Sequence, residues 1–344
     1  MSGLRNLMCD LMLTGQECPE NLEYCIMDPT GNITALVESS AEVSRQPFIA
    51  DLIMQKHPEV EQVGFVEFEV AGADSAQAGE SAPERDKLVQ VKLRMAGGEF
   101  CGNASMCAAA LYLSRKGAEV ASSLFPESSA EATAEDGWQQ VQLEVSGTSD
   151  PVVVRLRPMK AEGAETAAGS EVTARPDFAF EAGVHMPRAL RIEKRLFADG
   201  ALQGELPVVR MEGISHIVIE PSSVFYAYRE ERDAAERAVQ KWCKELGADG
   251  LGLMFLDLEA GAADDSEDVS ADAMPRLTPL VYVPGSGTSF WENSCASGSA
   301  ATGMYLADRT GERQEICLRE PGGNLKVTSD PGSGETWLYG TVRW

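Results

Sequence analysis

The alternation of apolar and polar positions in the first half of the chain predicts an ordered set of elements. Period-two patterns predict strands at Cys25–Ser39, Val63–Val70 and Leu88–Met95. Apolar positions at helical spacing mark Arg45–His57, and a further apolar stretch of helical length follows Cys101. The first half is therefore expected to hold a β-rich hairpin, a helix, two strands and a second helix.

The second half repeats this order. Its predicted elements are a β-rich stretch at Leu206–Ser222, a helix at about Arg229–Leu246, and strands at Leu251–Leu258 and Leu277–Val283. Gly247 follows the helix as an expected C-cap, and Cys295 opens the last helix. Outside the repeat, the sequence predicts further strands in Trp138–Pro158 and a closing hairpin in the final segment from PGGNLKV to LYGTV.

The repeat predicts two homologous α+β domains with a cleft between them. The two β-rich stretches align without a gap, with Gly31 on Gly213 and Glu38 on Glu220. We place the domains at residues 1–180 and 181–344, each carrying one of the helix-opening cysteines. A cleft between two domains is a usual place for a small-molecule site.

The charge of the chain argues against two classes of partner. The formal net charge is −25 over 344 residues, which disfavours binding to nucleic acid or to an anionic membrane. Much of this charge falls in stretches rich in Ala, Glu, Asp, Ser and Gly, which we interpret as solvated surface loops. These stretches are Ala71–Asp86, Pro126–Gly137, Lys160–Pro176 and Asp257–Arg276.

The cysteines and the N-terminus favour a cytoplasmic protein with free thiols. Met1–Gly15 lacks the apolar core of a signal peptide, and no apolar run approaches the roughly 20 residues that span a bilayer. None of the eight cysteines forms a CxxC pair, so neither a zinc ribbon nor a dithiol redox motif is expected. We predict no metal site.

Cys101 and Cys295 stand in matching contexts, FCGNAS and SCASGSA, at the start of their helices. Free backbone N–H groups and the helix dipole at such a position favour a thiolate and a bound carboxylate. Two such thiols facing one substrate can invert an acidic C–H centre, one removing a proton and the other returning one. Amides at the helix starts would stabilise the carbanion without pyridoxal phosphate, and we expect no cofactor. The residues that carry these amides are Gly102, Asn103, Ala296 and Ser297.

Other chemistries of cysteine have weaker support. A Cys–His nucleophile pair would need one of His57, His185 and His216. Among these, His216 lies on a strand pattern that leads towards the expected cleft, so it is a candidate site residue. A non-catalytic protein that binds an amino acid or senses thiol oxidation is the alternative from a different functional class.

Several motifs together resemble the diaminopimelate epimerase-like superfamily of cofactor-independent amino-acid racemases and epimerases. They are MDPTGNITALVES, FCGNAS, the M-x-G-x-x-H pattern at Met211–His216, SCASGSA, PGGNLKV and LYGTV. The resemblance implies two pseudo-symmetric domains, each a curved, mostly antiparallel sheet or barrel around a central helix, with a C-terminal strand crossing into the first domain. It also implies an active site in the cleft, a small-molecule amino-acid substrate and a homodimer.

The same resemblance implies roles for individual residues. Cys101 and Cys295 would be the two proton-transfer bases, and Asn32 and Gln62 would contact the substrate. The amides of the two helix starts would hold the substrate carboxylate.

Departures from the epimerase pattern point away from diaminopimelate. Met95, Ile214 and Gly252 stand where diaminopimelate epimerases have asparagines, and Ser286 and Gly287 replace a Glu–Arg pair. Losing the arginine removes the partner of a distal carboxylate.

The chain is more similar to the histidine racemase branch, which shares contexts like MAGGEFCGN and WENSC. Glu292 would then face an imidazole or a cationic side chain. We therefore expect histidine racemisation. The alternatives are another amino acid, or diaminopimelate bound in a rebuilt distal site.

Overall fold

A computed structural model describes residues 5–6, 22–38, 41–68, 89–120, 137–159, 179–259, 274–285 and 287–344, with the side chains of 117–120 left out. The strands up to the middle of the chain are β1 (Arg5–Asn6), β2 (Glu23–Pro29), β3 (Thr34–Glu38), β4 (Gln62–Phe68), β5 (Val91–Met95), β6 (Gln139–Val145), β7 (Val152–Pro158) and β8 (Ala179–His185). Those that follow are β9 (Arg191–Asp199), β10 (Leu202–Arg210), β11 (Ser215–Ile219), β12 (Leu251–Asp257), β13 (Arg276–Val283), β14 (Thr288–Trp291), β15 (Gln314–Glu320), β16 (Gly323–Asp330) and β17 (Glu335–Arg343). The helices are α1 (Gln46–Lys56), α2 (Gly102–Val120), α3 (Arg232–Leu246) and α4 (Ala296–Thr310).

The first half forms a closed barrel of eight strands. Strands β2 to β8 pair in chain order, and β17 closes the ring by pairing with β8 on one side and β2 on the other. Helix α2 runs through this barrel and contacts all eight strands. Its buried alanines, Ala108 to Ala110, keep the helix thin enough for the barrel to close around it.

The second half repeats the pairing scheme around α4. Strands β10 to β13 pair in order, β13 meets β15, and β15 to β17 complete the sheet. In both halves the hairpin is followed by a parallel pair, β3 with β4 and β11 with β12. Helices α1 and α3 pack on the outside, where Trp242 of α3 is fully buried against Phe197 and Phe225. The repeated order of elements predicted from the sequence is present.

Most of the predicted elements are confirmed. Gly247 ends α3 in the left-handed conformation, with φ of 60°. The sequence did not predict β1, β8, β9, β14 or β15. Strand β9 gives no alternating signal because charged side chains occupy most of its length and only Phe197 is buried. The expected domain boundary after residue 180 falls inside β8 and stays a prediction.

Three of the four acidic stretches lie outside the described residues, apart from Gly137, and so do residues 260–273 of the fourth. Asp257 and Arg276, which bound that fourth stretch, belong to β12 and β13. Among the described helices, none combines the length and apolar character that a bilayer crossing requires.

Two close backbone approaches join the halves, and each one needs glycine. Gly31, in the β2–β3 turn with φ of 93°, lies against Gly322, and a Cβ on Gly322 would come 2.8 Å from the Gly31 Cα. Gly213, in the β10–β11 turn, makes the corresponding approach to Gly147 in the β6–β7 turn. Because the two contacts are related by the internal repeat, they fix the halves symmetrically on either side of the cleft.

We expect substitution of Gly31 by alanine to reduce stability by more than its left-handed backbone conformation alone would cause. Gly31→Ala and Gly200→Ala both force an alanine into a left-handed conformation, at about 1–2 kcal/mol. Only Gly31 also meets another backbone, whereas nothing lies within 4 Å of a Cβ at Gly200. We expect Gly31→Ala to lower the free energy of unfolding by about 1–3 kcal/mol more than the control in denaturant titrations. Equal losses would show that the Gly31–Gly322 approach is not tight.

Candidate active site

The starts of the two central helices meet at the cleft. Gly102, the first residue of α2, has so little space that an added Cβ would lie 2.9 Å from the Cβ of Ala296, the first residue of α4. Cys101 directly precedes α2, and Cys295 is the N-cap of α4. The small residues after each cysteine therefore bring both thiols to the same place.

A cavity of about 490 Å³ contains both cysteines. Nearly all of the predicted site residues line it: Asn32, Gln62, Cys101, Gly102, Asn103, Glu292, Cys295, Ala296 and Ser297. A larger cavity of about 860 Å³ lies beside Glu42, Lys92 and Arg94, but it holds neither cysteine. We place the candidate site in the smaller cavity because the convergent chemistry is there.

The Cys101 thiol is bound by an amide side chain and by its own helix. It donates to Oε1 of Gln62 over 2.9 Å and accepts from the N–H of Ala104 over 3.4 Å. Gln62 is held in turn by donating to Thr34 Oγ1 over 2.9 Å. The Ser105 hydroxyl, one helical turn on, donates to the Cys101 carbonyl over 2.7 Å.

Cys295 has a more acidic neighbourhood. Its thiol accepts from the N–H of Gly298 over 3.4 Å and lies 3.7 Å from the Ser297 hydroxyl. Its backbone N–H donates over 2.6 Å to Oε2 of Glu320, a side chain buried behind the cavity wall. Cys295 is only 3% exposed, whereas Cys101 keeps partial exposure.

Burial outweighs the helix starts in setting the protonation of both thiols. Desolvation raises the pKa of Cys101 to about 12, and nearby Glu292 and Glu99 add to that rise. Desolvation also raises the pKa of Cys295 well above its usual range, with Glu292 and Glu320 contributing. The hydrogen bonds from Ala104 and Gly298 act in the opposite direction. Burial and the nearby carboxylates therefore oppose the thiolate that the helix starts favour.

Two asparagines of the first half, one in the β2–β3 turn and one in α2, line the cavity and share an acceptor from the second half. The Nδ2 groups of Asn32 and Asn103 both donate to the carbonyl of Ser294, over 2.6 and 3.1 Å. Their Oδ1 atoms are buried and have no hydrogen-bond partner among the described residues. A strained turn presents Asn32, since Thr30 has φ of 63° and is held by two hydrogen bonds to Thr341 of β17. These two unpaired oxygens can accept hydrogen bonds from a ligand.

The wall of the cavity is acidic. Among the described residues that line it there is no Lys, Arg or His, while five are acidic: Glu59, Glu61, Glu99, Asp249 and Glu292. Burial raises the pKa of Glu292 to about 7, and Glu61 and Glu99 reinforce this rise. Burial also raises the pKa of Glu61 and of Glu99. The cavity therefore suits a ligand that brings positive charge.

His216 does not line this cavity. It is fully buried on β11, both ring nitrogens lack a partner among the described residues, and burial lowers its pKa to about 3. Its ring fills the space beside Gly252, where a Cβ would overlap it. His57 instead binds the Tyr24 hydroxyl over 2.9 Å, and His185 packs on Trp337.

The positions that depart from the epimerase pattern fall in different surroundings. Ile214 lines the cavity, Met95 is buried in the core of the first barrel, and Ser286 lies outside the described residues. Sequence reasoning missed Glu61, Glu99 and Glu320. The sequence could have indicated the first two as site residues, since Glu61 precedes Gln62 directly and Glu99 stands two residues before Cys101. In the described part of the chain, no cluster of His, Cys, Asp and Glu is suited to hold a metal ion.

Comparisons with known proteins agree with this fold and show the family. The family model described as the histidine racemase CntK N-terminal domain matches residues 21–337. A histidine racemase from Staphylococcus aureus is 26% identical over 310 residues, covering 90% of this chain and 88% of the relative. A histidine racemase from Fusobacterium nucleatum is 25% identical over 291 residues, covering 83% of this chain and 80% of the relative.

The fold is also found in a solved structure. Methylitaconate-delta-isomerase matches with a TM-score of 0.51 and 9% identity, covering 93% of each chain. This likeness concerns the fold alone, and it agrees with the diaminopimelate epimerase-like architecture expected from the sequence. Because the family model spans nearly the whole chain, this protein belongs to the histidine racemase family of isomerases.

Proposed function

We propose that this protein racemises histidine without a cofactor, by proton transfer between Cys101 and Cys295 at the α-carbon. One observation carries the proposal. The N-termini of α2 and α4, each directly preceded by a cysteine, contact each other at Gly102 and Ala296 in one acidic cavity. The names of the relatives support histidine as the substrate.

The helix starts supply the site for the α-carboxylate. The first N–H groups of a helix have no acceptor within it and carry the positive end of the helix dipole. Such groups from α2 and α4 converge here, at Gly102, Asn103, Ala296 and Ser297. They bind the carboxylate and stabilise the charge that moves onto it when the α-proton leaves. The free Oδ1 atoms of Asn32 and Asn103 accept from the α-ammonium group.

The reaction needs one thiolate and one thiol. The thiolate takes the α-proton from one face, which leaves an enediolate-like carbanion on the carboxylate. The thiol then gives its proton to the opposite face, so the centre is inverted and the two sulfurs have exchanged protonation states. No net proton is gained or lost.

The substrate itself promotes formation of the thiolate. Burial favours the protonated form of both thiols, and the carboxylates Glu292 and Glu99 oppose a further negative charge. A bound ammonium group and a cationic side chain offset these carboxylates, which lowers the cost of ionising one thiol. The cysteines of the free protein should therefore be less reactive at neutral pH than an ordinary exposed thiol.

The acidic wall favours an imidazole over a distal carboxylate. A carboxylate side chain would meet Glu61, Glu99 and Glu292 with no cation among the described lining residues. Glu292, with a pKa of about 7, and imidazole, with a pKa of about 6.5, titrate in the same range. The pair can share one proton in either arrangement and keep its hydrogen bond.

Racemisation is tested by hydrogen exchange in D₂O with no added cofactor. We expect histidine to lose optical activity and gain α-deuterium at least about 100-fold faster than glutamate or meso-diaminopimelate, because each unpaired buried charge costs more than 2 kcal/mol. NMR and chiral chromatography measure both events. Binding of histidine without exchange of any amino acid would instead support a non-catalytic binding protein.

The two-base mechanism predicts that each cysteine is indispensable. Cys101→Ser and Cys295→Ser should each reduce racemisation by about 10²–10⁴-fold, because serine is a far weaker acid at neutral pH. Cys317→Ser, at an exposed position on β15, is the control and should keep full activity. Retention of activity by either single variant of the pair would contradict the mechanism.

The raised pKa of Glu292 predicts that kcat/KM for histidine depends on pH. Glu292 and the imidazole must share one proton, so kcat/KM for histidine should follow a bell-shaped profile centred near pH 7, lower where both groups are protonated and lower where both are deprotonated. Glu292→Gln should abolish this bell shape, because only the imidazole still titrates, and should increase KM by about 10–100-fold through the loss of a charged hydrogen bond. Glu312→Gln, at an exposed position, should change neither. An unchanged pH profile in Glu292→Gln would exclude contact with the imidazole.

A further inference from the structure

Glu320 is a buried carboxylate that the proposed reaction does not use directly. It ends β15, is 4% exposed and is not among the residues that line the cavity. One oxygen accepts the backbone N–H of Cys295 over 2.6 Å, and the other hydrogen-bonds the Ser299 hydroxyl. It therefore holds the N-cap of α4 and the first turn of the same helix together.

The corresponding place in the first half carries no charge. Val145 ends β6 two residues before Gly147, as Glu320 ends β15 two residues before Gly322, and Val145 is a buried apolar residue. Ser105 stands four residues after Cys101, as Ser299 stands four residues after Cys295. Ser105 donates to its own helix carbonyl, whereas Ser299 binds Glu320. Glu320 thus breaks the internal symmetry at one of the two thiols.

We propose that Glu320 is a positioning residue that keeps Cys295 as the proton-bearing member of the cysteine pair. Its carboxylate lies beneath the start of α4, where a second negative charge on the Cys295 sulfur would be opposed. Glu292 acts on both thiols and Glu99 acts on Cys101, but at the place equivalent to Glu320 the first half has Val145, and the Cys101 thiol is bound by the uncharged Gln62 amide. Cys101 becomes the thiolate when substrate binds. This inference rests on the two-base function proposed above.

The charges around Cys295 also favour its protonated form. Burial raises the pKa of Cys295, and both Glu292 and Glu320 raise it further. Burial raises the pKa of Glu320 to about 8, so it is ionised at the alkaline pH where a buried thiol titrates. His216, on the β11 strand packed against α4, is neutral there and offsets neither carboxylate.

The test is the pH profile of alkylation by iodoacetamide, followed separately for each cysteine by peptide mass spectrometry. In Glu320→Gln the midpoint of Cys295 modification should fall by about one pH unit or more, while that of Cys101 changes by less. Glu315→Gln, on the same strand but exposed and paired with Lys326, is the matched control and should leave both midpoints unchanged.

A second variant separates charge from structure. Ser299→Ala removes the hydrogen bond to Glu320 but leaves the carboxylate, so the Cys295 midpoint should not fall. If Glu320→Gln does not fold, Glu320→Met is a second neutral side chain of similar length, with the same expected shift. An unchanged Cys295 midpoint in the neutral variant, an equal shift at both cysteines, or the same fall in Ser299→Ala would overturn the proposal.

The alkylation assay does not require turnover. Wild-type protein that fails to racemise any amino acid would contradict the proposed function, whatever the midpoints are. An active wild-type enzyme with no difference between Glu320→Gln and Glu315→Gln would contradict the role of Glu320 alone.

Discussion

The close contact between the starts of α2 and α4 is the constraint on which the site depends. A proton can pass between two sulfurs and one carbon only if both sulfurs lie within reach of that carbon. Gly102 and Ala296 allow this because neither has a side chain large enough to separate the helices. The first barrel and the sheet of the second half surround these helices, and the glycine turns fix the two halves on each other, so the fold as a whole keeps this contact in place.

The cavity combines groups that bind a carboxylate with a wall of carboxylates that disfavours negative charge. Helix starts and unpaired amides are suited to the carboxylate and ammonium groups that all amino acids share, whereas the acidic wall is suited to one kind of side chain. The same wall makes the thiols harder to ionise. Selectivity for a cationic ligand and a low resting reactivity of the cysteines therefore have one physical cause.

The sequence predicted the repeat and the cysteine pair because both depend on local signals, namely periodicity and small residues after each thiol. It did not predict Glu320 at Cys295, since this contact joins residues that are distant in the chain and the carboxylate stands in an ordinary strand pattern. The sequence also showed only part of what sets the pKa of the thiols. Helix starts are visible in a sequence, but the depth of burial that outweighs them depends on how the two halves pack around the site.

The crossing of β17 into the first barrel has a consequence for how the chain acquires its structure. Strands β2 to β8 are complete by His185, yet their ring stays open until Glu335–Arg343 can pair with β8 and β2. An open sheet edge is prone to pair with other chains, and contacts so distant in sequence form slowly. During synthesis the first barrel must wait for the last strand of the second, so neither half can become a working enzyme by itself.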